Sequence, residues 1–221
     1  MTRAAIERET IFIPGPAGRL EAVLEYPRNA APCANAVICH PHPSYQGTLN
    51  NKVAYTLARA AVFAGAAALR FNFRGVGASA GSYDEARGEV EDLQATERWL
   101  AERFPGLPRW RLGFSFGAAI AIKASLAESC AVLVTVAPPV DRFADYGLDN
   151  PLPRAERWLL VQGDSDEVVA PQAVLDWART LKNGPEVQVF ADTGHFFHGE
   201  LTALRERVLA MLSPDEQEET D

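Results

Sequence analysis

Cysteine is scarce: three residues in 221, at positions 33, 39 and 130, an odd number without regular spacing. They describe no disulfide framework, and a reduced compartment is expected. Cys130 stands just before an apolar run and reads as a small core residue. Basic runs are missing too; the arginines are scattered, so the electrostatic footprint of a nucleic-acid binder is absent. No apolar stretch reaches the ~20 residues that span a bilayer, which excludes a membrane helix. The first ten residues, "MTRAAIERET", carry charge and no apolar h-region, so no secretory signal is expected. Internal repeats and interdomain linkers are also lacking.

These absences point to one cytoplasmic domain over residues 1–213, with neither nucleic acid nor membrane as partner. The length suffices for a substantial core. The formal charge of −8 overstates the acidity of that domain, because five acids stand in the last seven residues, "DEQEETD". Residues 214–221 are expected to be a solvated, frayed tail on a mildly acidic body.

What the chain does contain is alternation. Short β-rich runs at 36–39, 67–73, 109–114, 131–137, 157–163 and 186–190 are separated, for the most part, by amphipathic patterns at 49–64, 85–103, 117–128, 171–182 and 200–212. That order predicts right-handed crossovers and a mostly parallel sheet with helices on both faces, an α/β class. The first thirty residues differ. "ETIFI" and "RLEAVLEYP" flank Pro14-Gly15-Pro16-Ala17-Gly18, which predicts an antiparallel hairpin at one sheet edge. Residues 138–156 form the longest irregular stretch, enough for a turn or short helix.

"RLGFSFGAAIA" carries Gly113-Phe114-Ser115-Phe116-Gly117 between a predicted strand and a predicted helix. That context gives G-x-S-x-G its meaning, since a strand running straight into a helix puts Ser115 at a strained, exposed apex. The Phe116 amide, at the helix start, then points toward developing negative charge. A serine hydroxyl needs a base, and the base needs an orienting acid. "VQGDSDEVV" offers Asp164, Asp166 and Glu167 after a later strand; "ADTGHFFHG" offers His195 and His198 after the last. Asp166 is favoured because it precedes the anchoring Val168-Val169, with Asp164 a candidate turn cap. His195 is favoured because Gly194 permits an irregular loop, whereas His198 falls where the terminal helix should begin. Among the aromatics near these loops, Tyr45 and Phe196 are the candidates for substrate contact.

The order GFSFG, GDSDEVV, GHFFHG resembles the α/β-hydrolase superfamily over about residues 9–212. "CHPHPSYQGTLNNKV" and "LRFNFRGVGASAG" extend the likeness to small lidless bacterial hydrolases related to dienelactone hydrolase and Xaa-Pro peptidase-like groups. The resemblance implies a twisted, mostly parallel sheet of about eight strands without a cap domain. It also implies a triad on Ser115, Asp166 and His195, and a second oxyanion donor in the loop after "AVIC". Pro41 and Pro43 have no amide hydrogen, which leaves His42 and Ser44, and the family pattern favours His42. Ser115 departs from the cysteine nucleophile of dienelactone hydrolase itself, so that enzyme's substrate is not implied. The expected activity is cleavage of a small acyl ester, thioester or lactone without a cofactor.

Three other readings compete. "NFRGVGASAG" spaces its glycines as G-x-G-x-x-x-G, which does not fit a dinucleotide loop. His40 and His42 precede prolines and alternate on one side of an extended chain, so a metal hydrolase using them is conceivable, although a catalytic zinc site needs about three protein ligands. An inert hydrolase scaffold that only binds is the third, because fold alone never guarantees function.

Overall fold

The computed structural model describes residues 5–149 and 151–213. The acidic tail expected to fray lies outside the described residues. A long hairpin opens the fold: β1 (Ile6–Gly15) pairs antiparallel with β2 (Gly18–Pro27), register Gly15↔Gly18, so only Pro16 and Ala17 form the turn. The core strands follow as β3 (Asn35–Cys39), β4 (Ala67–Phe71), β5 (Arg109–Phe114), β6 (Cys130–Val136), β7 (Ala155–Gly163) and β8 (Glu186–Phe190). Sheet order is β1-β2-β4-β3-β5-β6-β7-β8, and every pairing beyond β2–β4 is parallel.

Parallel strands must be covered on both faces, and the sequence supplies two apolar layers to do it. Helices α1 (Lys52–Phe63) and α5 (Leu201–Leu212) cover one face with Val53, Leu57, Leu204 and Val208. Helices α2 (Gly88–Arg103), α3 (Phe116–Ala127) and α4 (Pro171–Thr180) cover the other, through residues such as Leu93, Leu100, Ile120 and Trp177. Eight of the twelve residues of α1 are buried, half of them alanines, which lets the helix lie close to the sheet. Asn51 starts that helix, its side-chain oxygen accepting from the amides of Val53 and Ala54 at 2.9 and 3.2 Å. Such a cap contributes about 1 kcal/mol.

Helix α2 begins later than the expected 85, because Glu85 and Ala86 adopt positive φ. The terminal helix begins at Leu201, so His198 precedes it in a turn rather than starting it. The described residues of 138–156 hold two single 3-10 turns, Val140–Arg142 and Ala144–Tyr146, and form no cap domain. Among the described residues no helix is long and apolar enough to cross a membrane.

The glycine-rich stretch after β4 is a brace. Arg74 reaches buried Asp92 of α2, with its nearest guanidinium contact at 2.8 Å. Asn72 accepts the Leu49 amide at 2.8 Å and donates to Glu21 at 2.7 Å. The loop after β3 is therefore tied to its neighbour across the carboxyl edge of the sheet.

Candidate active site

Chain direction in a parallel sheet brings the loops after β3, β5, β7 and β8 to one edge. Ser115 sits between β5 and α3 with φ 54° and ψ −121°, outside the conformations a side chain prefers. A position of this kind costs about 1–3 kcal/mol, which surrounding packing must offset. The two motif glycines are set by contact. A Cβ on Gly113 would lie 2.2 Å from the Gly117 carbonyl oxygen, and one on Gly117 would lie 2.3 Å from that of Cys39. The start of α3 thus presses against the end of β3.

His195 lies in the loop after β8, 2% exposed, with its Nε2 3.2 Å from Ser115 Oγ. Its Nδ1 is 2.8 Å from Asp166 Oδ2, in the loop after β7. The structure therefore brings Ser115, His195 and Asp166 into one hydrogen-bonded line. Asp166 Oδ1 accepts from the amides of Val168 and Val169 at 2.8 and 2.7 Å, and Gln162 Nε2 donates to Oδ2 at 3.0 Å. Burial alone raises this carboxyl, but the hydrogen bond from His195 and the Val169 and Val168 amides outweigh it and hold it below the usual value.

Asp164 does not cap the turn with its carboxylate; Asp166 does, and among the described residues the Asp164 carboxylate accepts only from the Ser165 hydroxyl at 3.0 Å. The physical reason is chain direction: residues 168 and 169 turn their amides back onto position 166. Gly194 does not need an unusual φ either. Its bare Cα leaves room for Glu167, whose Oε2 would lie 2.7 Å from an added Cβ and accepts the His195 amide at 3.1 Å. Sequence reading offered Glu167 only as an alternative acid. Its actual contact joins two loops 28 residues apart, which no local pattern signals.

In the loop after β3, His40 and His42 diverge in use. His40 is fully buried; its Nδ1 donates to the Pro41 carbonyl at 2.6 Å and its Nε2 accepts from the Phe73 amide at 3.1 Å. With both nitrogens on backbone partners, His40 has none left for a metal. Burial pushes its pKa down to about 4, so the ring is neutral. Among the described residues no group of three His, Cys, Asp or Glu is placed to hold a metal ion. The His42 ring packs on Phe116, Tyr45 and Tyr83, with centroids 4.8, 5.0 and 5.0 Å away. Its Nδ1 accepts the Ser44 amide at 3.1 Å. Ser44 is thereby occupied, while the backbone amides of His42 and Phe116 meet no acceptor among the described residues. Tyr45 is 76% and Phe196 40% exposed; the Phe196 ring stands edge-on to His195 at 5.1 Å.

A hydroxyl, an imidazole and a carboxylate in this order, beside unpaired amides, can take a proton from serine and stabilise an oxyanion. Comparison with known proteins identifies the family. A family model described as serine aminopeptidase, S33, matches residues 30–158. The chain is an α/β-hydrolase. A lidless α/β serine hydrolase from Xanthomonas campestris is 39% identical with a TM-score of 0.87, covering 93% of this chain and 94% of its own. An α/β serine hydrolase homologue from Coxiella burnetii is 42% identical with a TM-score of 0.85, covering 91% and 96%. A Rickettsia prowazekii protein of uncharacterised function is 35% identical over 195 residues, 85% of this chain and 81% of the relative. The Xanthomonas relative is described as lacking a lid, and in this α/β-hydrolase the described residues of the 138–156 connection hold two 3-10 turns.

Proposed function

We propose that this hydrolase cleaves a small acyl ester, or a related thioester or lactone, through an acyl-enzyme on Ser115. His195 takes the serine proton as Oγ attacks the substrate carbonyl, and Asp166 fixes the imidazole tautomer and balances its developing charge. The amides of Phe116 and His42 receive the oxyanion. His195 then returns the proton to the leaving oxygen, and a water, deprotonated by the same ring, releases the acid. No cofactor takes part in this scheme, and the substrate is a small molecule.

The supporting observation is the line Ser115 Oγ, His195 Nε2, His195 Nδ1, Asp166 Oδ2, with contacts of 3.2 and 2.8 Å, from three separate loops at one sheet edge. A scaffold kept only for binding has no need of this geometry or of the strain at Ser115. Turnover of p-nitrophenyl acetate tests the reading. Ser115→Ala is expected to lower kcat by several orders of magnitude while the melting temperature holds. Unchanged turnover in the variant would remove Ser115 as the nucleophile, whereas no turnover in wild type would leave the binding-scaffold reading in its place.

A further inference from the structure

Beside the Ser115 site, between the start of α1 and the His195 loop, lies a cleft of about 290 Å³ whose walls include Gln46, Asn50, Lys52, Phe196 and His198. Its volume stands at the low end for small-molecule sites, enough for one compact group rather than a polymer. The lining carries a lysine and a histidine and no carboxylate, in a chain of net charge −8. Among the described residues, the side-chain polar groups of Gln46, Asn50, Lys52 and His198 meet no hydrogen-bonding or ionic protein partner.

Position gives the cleft a role. Phe196 lines it and also packs edge-on against His195 at 5.1 Å. The leaving oxygen in acyl transfer collects its proton from His195, so the alcohol half of the substrate lies on the histidine's side. Gln46 and Lys52 approach from the chain segment that also contains the His42 amide. The overall acidity of the protein argues against anionic ligands in general, but local charge governs at contact range.

We propose that this cleft receives the leaving group and selects one that bears a carboxylate, making the substrate an ester of a hydroxy acid or of a carboxyl-bearing phenol. The proposal rests on the serine-hydrolase reading above. One water is consumed; the acyl–oxygen bond breaks, and the products are the free acid and the hydroxy acid, whose oxygen carries the proton from His195. Lys52 supplies the charge, and the amides of Gln46 and Asn50 supply donors.

The test compares kcat/KM for 3-carboxyphenyl acetate and 3-carbamoylphenyl acetate, each corrected for its uncatalysed rate, in wild type, Lys52→Met and Lys52→Arg. Wild type is expected to prefer the carboxylate by about fivefold, mainly in KM, the size of an exposed charge pair. High salt should erode the preference. Lys52→Met should bring the ratio near one and Lys52→Arg should restore it. Binding of 3-hydroxybenzoate to Ser115→Ala, with and without Lys52→Met, gives a readout independent of turnover, expected to weaken about fivefold without the lysine. A ratio near one in wild type, or one that Lys52→Met does not change, overturns the proposal. If neither ester is cleaved but 3-hydroxybenzoate binds through Lys52, the cleft stands and the hydrolase reading falls.

Discussion

Asp166 Oδ2 lies 2.8 Å from His195 Nδ1, and the other Asp166 oxygen is held by two backbone amides. The carboxylate thus has a fixed lone pair aimed at the imidazole and little freedom to leave it. Asp164, two residues earlier, is exposed, and among the described residues its side chain bonds only to Ser165.

Exchanging each acid for its amide separates the two. Asp166→Asn presents an amide where His195 needs an acceptor, and is expected to lower kcat about 10³- to 10⁴-fold. Asp164→Asn is expected to stay within a factor of two of wild type, as surface substitutions do. Steady-state kinetics on p-nitrophenyl acetate decide the matter, and equal losses would remove Asp166 from its assigned role.

Glu167 is a positioning residue, because it acts on His195 through the backbone amide rather than on substrate. Glu167→Ala leaves that amide without its acceptor, at a cost of about 1 kcal/mol, or roughly fivefold in kcat. Glu167→Gln keeps an acceptor oxygen and should recover most of the rate, with KM unchanged in both. A loss that the glutamine does not rescue would point to the charge instead of the hydrogen bond.

His40 ties the loop after β3 to Phe73, and its protonation must break that tie. In the folded state its pKa is lowered to about 4 from 6.5, so between those values the unfolded chain binds more protons. Stability therefore rises with pH across this window: the contribution is complete above 6.5 and lost as pH falls toward 4. A shift of that size corresponds to about 3 kcal/mol. The Asp166 carboxyl, held low, loses its contribution only below the ordinary carboxylate range, outside the window. Urea midpoints at pH 7 and pH 4.5 should differ strongly in wild type and much less in His40→Gln, which starts lower at pH 7. An equally steep fall in the variant would assign the dependence to other groups.

Fold and site were legible in the sequence to different degrees. Strand and helix order could be read because parallel strands, buried on both faces, are continuous apolar runs such as "AVLVTVA", and the helices between them are periodic. Ser115 and His195 could be read because each sits in a short motif whose strand–turn context is local. The His40 ring was not legible as a backbone brace, since its partner, the Phe73 amide, lies 33 residues away. The same holds for Glu167 and His195, and for the cleft beside Phe196, which exists only where two loops meet. Proline spacing did identify the loop that offers a free amide. The His42 ring occupies the Ser44 amide, a contact that no local pattern signals, and the proposed donor is therefore the His42 amide.

The central claim is that Ser115 becomes covalently acylated with His195 as its base. Incubation with a fluorophosphonate probe, followed by intact-mass and peptide analysis, tests it most directly. One adduct is expected, on the peptide containing Ser115, absent in Ser115→Ala and formed about 10³-fold more slowly in His195→Ala. A native protein that takes up no probe, or takes it up on another residue, would contradict it.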